Sequence, residues 1–267
     1  MKNILLHRLL EKLTETHLHR AGVIPWSSPV PVFGNLSTSY VGTLGLNPSN
    51  REFVDRSGRE LRGPHRRFET LASLGIRRWT NAKEHHIEKI ATSCERYFSN
   101  NPYDGWFRKL DLLISDTQTS FYTGTAAHLD LIPFATVSKW GQLSTRHKAV
   151  LLEAAGDSLA LTLNDSAIRL LVLNGASVVA QFRTAFGVHL NSYEVRDWTL
   201  QAKSKRPVLG VAYSGTLDSL GNIALDRTIR VVGFNHNIQS SYGVTREVMN
   251  SIKTWIGKER EAMLAAA

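Results

Sequence analysis

Five short apolar runs, most of them separated by helical patterns, constrain the fold of this chain more than any other feature. The runs are VPVFGN at 30–35, SYVGTLGLN at 39–47, AAHLDLIPF at 126–134, AIRLLVLNG at 167–175 and TIRVVGFNHN at 228–237. Strands that alternate with helices are typical of a parallel sheet covered on both faces. We therefore expect an α/β fold with three α/β/α layers around a central, mostly parallel sheet.

Helical spacing of apolar residues gives the other elements. An amphipathic helix is expected within 1–20, and further helices are expected at about 67–74, 82–98, 106–118, 144–163, 176–185 and 245–257. The region 187–227 is rich in β-branched and turn residues, which predicts a β-rich elaboration. Because the chain has no internal repeat and no Pro/Ser-rich linker, we predict a single domain over 1–267.

Composition narrows the class of protein. The content of 42% hydrophobic and 21% charged residues is that of an ordinary globular chain, and no apolar stretch is long enough for a membrane span. We expect a cytoplasmic monomer without membrane contact. Cys94 is the single cysteine, which excludes a disulfide framework and thiolate metal sites. His85, His86 and Glu88 lack metal-ligand spacing, so we expect no metal and no cofactor.

Charge points to the class of partner. Lys and Arg number 32 against 23 Asp and Glu, a net charge of +9. Such an excess favours a polyanion, and nucleic acid is the commonest one. A solvated basic surface without specific function is the alternative. The basic loop 51–67 is the expected phosphate-binding segment, through Arg51, Arg62, Arg66 and Arg67.

Polar residues fall where the predicted strands end. Asn47, Asp130, Gly175 and His236 each lie at or near such an end. In a parallel sheet those ends share one edge, and ligands of open α/β sheets bind there. We therefore expect these four residues to converge. The alternative for Asn47 is ordinary turn chemistry, since Asn-Pro and Ser-Asn are common turn pairs.

Four of the runs carry motifs that resemble those of the uracil-DNA glycosylase superfamily, over about 25–257. The first family motif, G-x-D-P-Y or G-x-N-P-G after a strand, is GLNPS here. A strand with a base-reading polar residue is HLDLIPF, and a strand followed by a small pair is LVLNGASVV. The fourth motif, H-P-S-P with an intercalating residue, is FNHNIQSSYG. The motifs stand in the order of the family.

The sequence departs from the family at several motif positions. Asn47 stands in place of Asp, as in the mismatch-specific thymine and uracil branch, and Ser49 replaces Gly or Tyr. Asp130 stands where uracil enzymes have Asn, and Asn237 and Gln239 replace both prolines. The identity of the excised base is therefore open.

The resemblance implies a monofunctional hydrolase that flips a base out of double-stranded DNA, excises it and leaves an abasic site. Asn47 would hold the attacking water, and His236 would donate a hydrogen bond to the departing base. Asp130 would read the base, and Phe53 would stack on it. The implied DNA-binding residues are Arg51, Ser177, Gln239, Ser240 and Ser241.

Each role has a plain structural alternative. His236 and the serines also fit ordinary turns. Phe68 lies on a helical pattern and is expected in the core. Ile238, Gln239 and Tyr242 are equal candidates for the intercalating wedge.

Asp130 favours a cytosine derivative over uracil. A carboxylate oxygen and uracil O4 are both hydrogen-bond acceptors, so they would repel each other. Cytosine instead presents a donor at N4 and an acceptor at N3. An Asp130 whose pKa is raised by burial can accept from N4 and donate to N3. The alternative is that Asp130 caps the strand or pairs with a basic neighbour such as Lys139.

Excision of normal cytosine would destroy the host genome, so a modified cytosine is expected. Some bacterial members of the superfamily remove glucosylated 5-hydroxymethylcytosine from phage DNA, and the resemblance implies such a role in antiviral defence. A uracil or thymine mismatch repair glycosylase and a non-catalytic module that binds modified-base DNA stay open as alternatives.

Overall fold

The computed structural model describes residues 3–201, 207–239 and 243–265. Seven strands form one sheet in the order β1-β3-β2-β4-β7-β6-β5. They are β1 (Val32–Phe33), β2 (Val41–Gly45), β3 (Ala126–Asp130), β4 (Leu170–Asn174), β5 (Asn191–Glu194), β6 (Val211–Leu220) and β7 (Ile223–Phe234). β2 pairs in parallel with β3 and β4, and β4 pairs in parallel with β7. β1, β5 and β6 join antiparallel. The sheet is therefore mixed, with a parallel centre.

The central strands are buried on both faces. Every residue of β2 and β3 is buried, including the polar members of each strand. A strand covered on both sides requires side chains that tolerate burial at every position. This is why these runs read as continuous rather than alternating in the sequence.

Helices cover both faces of the sheet. They are α1 (Asn3–Lys12), α2 (Thr16–Arg20), α3 (Glu84–Glu95), α4 (Tyr97–Asn100), α5 (Asp104–Ile114), α6 (Thr145–Ala155), α7 (Ser158–Asn164), α8 (Ala176–Phe186) and α9 (Arg246–Ala265). On one face, Val179 of α8 lies close over Gly233 of β7. On the other face, the ring of Phe107 in α5 lies 5.4 Å from that of His128 in β3. The predicted α/β architecture with helices on both sides is confirmed.

Three predicted helices are divided in the structure. The helix expected within 1–20 corresponds to α1 and α2, that at 82–98 to α3 and α4, and that at 144–163 to α6 and α7. Gly156 ends α6 with a φ of +49°, in the left-handed region that favours glycine. The apolar spacing continues across this break, which is why the sequence pattern reads as one helix.

The helix predicted at 67–74 does not form. The backbone N–H of Leu71 donates to the carbonyl of Trp26 at 3.0 Å, and the carbonyl of Glu69 accepts from the N–H of Ser28 at 3.1 Å. The backbone of Glu69 and Leu71 is therefore paired with the chain that follows α2, and only one turn closes within the segment, from the N–H of Leu74 to the carbonyl of Thr70 at 3.0 Å.

The region 187–227 supplies β5, β6 and the first residues of β7. β7 starts at Ile223, earlier than the predicted 228, because β6 and β7 form a long hairpin that turns at Gly221. In the described parts of the chain, no helix combines the length and apolar character that a membrane crossing requires.

Candidate active site at the carboxyl edge of the sheet

The sheet order brings the four predicted strand-end residues to one edge. β3, β2, β4 and β7 are consecutive neighbours, and all four run in the same direction. Asp130 ends β3 and pairs in register with Gly45, the last residue of β2. Gly175 directly follows β4, and Asn47 and His236 come just after β2 and β7. These residues therefore line the carboxyl edge, where open α/β sheets bind ligands.

Asn47 is anchored through its amide nitrogen. Its Nδ2 lies 3.0 Å from Thr136 Oγ1, 3.3 Å from the carbonyl of Phe134 and 3.2 Å from that of Pro48. The carbonyls of Phe134 and Pro48 can only accept a hydrogen bond. The Thr136 hydroxyl already donates its proton to the carbonyl of Ser138, so it also accepts here. Nδ2 and not Oδ1 of Asn47 must therefore face these three oxygens. Among the described residues, none donates a hydrogen bond to Asn47 Oδ1. The side chain is held with its acceptor oxygen available.

The chain after Asn47 folds back towards the sheet. Ser49 Oγ accepts from the backbone N–H of Arg51 at 3.2 Å and caps a short 3₁₀ turn over Asn50–Glu52. The turn directs Glu52 and Phe53 inward, and both are buried. A segment that the sequence marks as a basic surface loop thus begins with two interior side chains.

Asp130 belongs to a buried polar row that crosses two strands. Thr43 Oγ1 lies 2.7 Å from His128 Nδ1, and His128 Nε2 lies 3.4 Å from Asp130 Oδ1. The Asp130 side chain is 4% exposed. Burial raises its pKa, and His128 acts in the opposite direction. The partner of Asp130 is therefore His128 of its own strand, and Lys139 is exposed.

Gly45 makes room for this row. A Cβ at Gly45 would lie 2.4 Å from Asp130 Oδ1 and 2.9 Å from His128 Nε2. Such distances leave no space for a side chain, so the close approach of the two polar groups to β2 depends on this glycine. The reason is steric, because the backbone of Gly45 is outside the left-handed region.

Glu52 is a functional candidate that the sequence reasoning missed. Its Oε2 accepts a hydrogen bond from the Tyr97 hydroxyl at 2.7 Å and lies 3.8 Å from Arg67 Nε. Burial raises the pKa of Glu52 to about 7, against the hydrogen bond from Tyr97 and the charge of Arg67, and the charge of Asp130 raises it further. Its position next to Phe53, three residues after the first motif, is the one sequence signal that could have indicated it.

Phe53 and Phe68 occupy the same buried aromatic cluster. Their ring centroids are 5.7 Å apart, and Phe53 also meets the ring of Trp26 edge-on at 6.2 Å. Each phenylalanine is 1% exposed. Phe68 is a core residue as expected, although it lies on an irregular segment. In this conformation the ring of Phe53 is covered, so stacking on a base requires it to move.

His236 is buried and already donates a hydrogen bond. Its Nε2 lies 2.5 Å from the carbonyl oxygen of Trp198, which can only accept, so Nε2 carries the proton. Burial lowers the pKa of His236, which favours the neutral ring. The donor expected to face a departing base is therefore directed at Trp198 in this conformation.

The turn after β4 is fixed by glycine. Gly175 has a φ of +98°, and a Cβ there would lie 3.2 Å from the carbonyl oxygen of His236. Beside it, Asn174 Nδ2 donates to Gln239 Oε1 at 3.3 Å. Asn174 Oδ1 and Gln239 Nε2 are buried without a partner among the described residues. Gln239 is thus tied to β4.

The remaining predicted DNA contacts divide into three groups. Ser177 is exposed in the first turn of α8. Ser240, Ser241 and Tyr242 lie outside the described residues. Ile238 is 3% exposed within the core, which removes it as an intercalating wedge in this conformation.

The arginines of the basic loop serve different purposes. Arg51 donates to the carbonyl of Asp55, and Arg62 and Arg66 each pair with an acidic neighbour at 3.4 Å. Arg67 donates to the carbonyls of Asn101 at 2.7 Å and Arg51 at 2.5 Å, and its side chain is 15% exposed. Arg62, with an 80% exposed side chain, is the best placed of the four for a phosphate.

Other features lie apart from this edge. An open groove of about 480 Å³ runs along α3, and Glu69, Glu88, Lys89 and Arg96 are among its lining residues. Within the described parts of the chain, no three His, Cys, Asp or Glu side chains are grouped to hold a metal ion.

Burial raises the pKa of Cys94 to about 12, so its thiol stays protonated.

Comparison of this chain with models of known protein families and with curated protein sequences found no match.

Proposed function

We propose that this protein is a DNA glycosylase that hydrolyses an N-glycosidic bond at the carboxyl edge of its sheet. The observation that carries the proposal is the state of Asn47: three acceptors hold its amide nitrogen, and its carbonyl oxygen is left to orient a small donor. A water held there is the nucleophile that the reaction needs. The motifs around Asn47 and the resemblance to the uracil-DNA glycosylase superfamily support the same reaction.

The chemistry assigned to the edge is a hydrolysis. The C1′–N bond breaks with its electron pair going to the base, and the oxygen of the water forms the new bond to C1′. The proton of that water leaves to solvent or to the base. An amide cannot accept a proton, so Asn47 orients the water and does not act as a base. His236 would stabilise charge on the departing base once its ring turns from Trp198.

Asp130 supports a cytosine derivative as the excised base. Burial raises its pKa, which favours the protonated carboxyl over the ionised one. Such a carboxyl accepts from an exocyclic amine with one oxygen and donates to a ring nitrogen with the other. A modified cytosine, such as glucosylated 5-hydroxymethylcytosine in double-stranded phage DNA, fits this pattern and spares the host genome. We extend the proposal to antiviral defence by a monomer in the cytoplasm.

One observation favours a second function. The Nε2 proton of His236 is engaged with the Trp198 carbonyl, and the ring is 2% exposed. A site whose leaving-group donor stays engaged would bind a modified base without releasing it. The second candidate is therefore a non-catalytic module that recognises modified-base DNA.

The test is a panel of duplexes that carry uracil, thymine opposite guanine, cytosine, 5-hydroxymethylcytosine and its glucosylated form. Release is scored as abasic sites, and binding is measured in parallel. We expect abasic sites with glucosylated 5-hydroxymethylcytosine and a shift of preference towards uracil in Asp130→Asn. Binding without release supports the second candidate. Release of uracil or thymine alone makes this a mismatch repair enzyme and overturns the assigned base. If the protein neither binds any duplex nor releases a base from it, both proposals fail.

A further inference from the structure

A row of three buried polar side chains connects β2 with β3 beneath the sheet edge. Thr43 lies in the middle of β2, His128 is its register partner in β3, and Asp130 ends β3. The distances are 2.7 Å from Thr43 Oγ1 to His128 Nδ1 and 3.4 Å from His128 Nε2 to Asp130 Oδ1. The three residues are 0%, 2% and 5% exposed. Because the row is nearly closed to solvent, its own members decide where its protons lie.

The hydroxyl of Thr43 determines the tautomer of His128. Aromatic rings pack around the imidazole at centroid distances of 4.9–5.4 Å, and they belong to Phe33, Trp106 and Phe107. Among the described residues, His128 Nδ1 is the single hydrogen-bond partner of the Thr43 hydroxyl. If this hydroxyl accepted from Nδ1, its own proton would be buried without an acceptor, which is costly. Thr43 therefore donates, Nδ1 accepts, and the neutral ring carries its proton on Nε2.

The Nε2 proton then distinguishes the two oxygens of Asp130. Oδ1 lies 3.4 Å from Nε2, and both atoms lie over Gly45, where an added Cβ would be 2.4 Å from Oδ1 and 2.9 Å from Nε2. An oxygen that faces an N–H group is an acceptor. A proton on the Asp130 carboxyl therefore belongs on Oδ2.

We propose that Thr43 and His128 are positioning residues that fix the proton of the Asp130 carboxyl on Oδ2 and thereby decide which base Asp130 recognises. The proposal rests on the proposed glycosylase function and names the origin of its base preference. A protonated carboxyl offers one donor and one acceptor, and exchanging them between its oxygens would turn recognition of cytosine into recognition of uracil. With Oδ1 held as the acceptor, it receives the exocyclic amine of a cytosine derivative, and Oδ2 donates to ring N3. Uracil held in the same pose would place O4 against Oδ1, and both are acceptors.

The order Thr–His–Asp is also that of a hydrolase nucleophile with its base and acid. Thr43 is 0% exposed in the interior of β2, so its hydroxyl meets no substrate. The row therefore serves to orient Asp130.

The first experiment needs no DNA. Protein labelled with ¹⁵N at histidine is studied by NMR, because the nitrogen shifts distinguish a protonated from an unprotonated ring nitrogen, and His128→Gln identifies the His128 signals. We expect wild type to carry the proton on Nε2. Thr43→Val removes the donor to Nδ1 and should populate the ring protonated on Nδ1. Thr43→Ser restores the hydroxyl and should restore the wild-type tautomer.

Thr162→Val is the matched control for Thr43→Val. Thr162 is also a buried threonine, and its hydroxyl donates to the carbonyl of Ser158 within α7 at 2.7 Å. This substitution should leave the tautomer of His128 unchanged. A wild-type ring protonated on Nδ1 overturns the proposal, and this measurement suffices if Thr43→Val does not fold. A folded Thr43→Val protein with the wild-type tautomer overturns the role of Thr43.

The second experiment compares release of uracil and of glucosylated 5-hydroxymethylcytosine by the same variants. We expect Thr43→Val to raise the ratio of kcat/KM for uracil to that for the cytosine derivative by about tenfold or more, because the carboxyl proton is no longer confined to Oδ2. Thr43→Ser and Thr162→Val should keep the wild-type ratio. Loss of activity on both bases in equal proportion in Thr43→Val would overturn the specificity role.

A double variant tests whether Thr43 acts through Asp130. In Asp130→Asn, the amide oxygen takes the place of Oδ1 as long as Nε2 keeps its proton, which limits the shift towards uracil. We therefore expect Thr43→Val combined with Asp130→Asn to favour uracil more strongly than Asp130→Asn alone, and equal preferences contradict control by Thr43. If wild type releases no base while Thr43→Val changes the tautomer, the glycosylase function fails and the control of His128 by Thr43 stands.

Discussion

Asn47 and its neighbour Asn50 form a matched pair for substitution, because they make similar hydrogen bonds and differ in their distance from the end of β2. Both donate through Nδ2 to the segment after β3, Asn47 to Phe134 and Thr136 and Asn50 to Val137. Only Asn47 lies directly at the strand end. We expect Asn47→Ala to lower kcat of base release at least a hundredfold with little change in DNA affinity, because the water is held only for the chemical step.

The control for this prediction is Asn50→Ala, which removes a similar tether and should keep most of the activity. Affinity and circular dichroism of each variant separate chemistry from folding. Equal loss of DNA affinity and turnover in Asn47→Ala would contradict the assigned role. His236→Ala is expected to behave like Asn47→Ala, and the exposed His189 provides its control.

Glu52 predicts a pH-dependent stability with a definite sign. Its pKa is about 7 in the folded protein against an ordinary value of 4.5. Between these values the folded state keeps a proton that the unfolded chain has released, so the free energy of unfolding falls as pH rises from 4.5 to about 7. The full effect is about 3 kcal/mol at 1.36 kcal/mol per pKa unit.

Urea unfolding at pH 5 and pH 8 measures this effect. Glu52→Gln cannot release the proton, so its stability should fall less than that of wild type over the same interval. Parallel pH dependences of the two proteins would show that Glu52 titrates normally in the folded state.

At the scale of elements, the pairing of β2 with β3 places the Asp130 and His128 side chains close against Gly45. A Cβ at Gly45 would overlap Asp130 Oδ1 at 2.4 Å. We expect Gly45→Ala to destabilise the protein by about 1–3 kcal/mol through overpacking and to impair base release beyond its effect on folding.

Gly105→Ala is the control of opposite sign. Gly105 lies in α5, and the nearest atom to a Cβ added there is 3.8 Å away. Alanine at this position should therefore stabilise the helix slightly. Denaturant midpoints compare the two variants. A Gly45→Ala protein as stable and as active as wild type would show that the polar row tolerates displacement.

The elements that the sequence predicts well are those whose burial leaves a pattern. The central strands are continuous apolar runs that end in polar residues, so both their existence and their shared edge follow from the sequence. The segment 67–74 has helical apolar spacing, but the backbone of Glu69 and Leu71 pairs with the chain near Trp26, and spacing does not indicate such long-range pairing.

The sequence also could not predict which side chains of the basic loop are buried. Glu52 and Arg67 belong by type to a solvated surface, and both turn inward because Tyr97 and the carbonyls of Arg51 and Asn101 satisfy them. Those partners lie up to 45 positions away in the chain. Local pattern cannot indicate an interior ion pair of this kind.

For the whole molecule, the net charge of +9 predicts steeply salt-dependent DNA binding. Arg62→Gln should reduce the slope of log K against log[salt] by about one, because Arg62 is exposed in the loop that follows the site. Arg169→Gln removes the same charge from the opposite, amino edge just before β4, and should leave the slope unchanged.

Binding isotherms from 50 to 300 mM salt measure these slopes. A flat wild-type plot would count against a surface that follows phosphates. Equal changes in the two arginine variants would mean that net charge matters and the location of the arginine does not.

The short turn between Asn47 and Glu52 has a kinetic consequence. The turn is closed by the Ser49 cap, and its two ends are fixed separately, by Thr136 on one side and by Tyr97 on the other. Under the proposed function, any motion of this turn that admits an extruded base displaces Asn47 and the Glu52 carboxyl together, because both belong to one short covalent unit. Admission of the base and assembly of the hydrolytic geometry would then share a single gating step, with one opening rate that limits both.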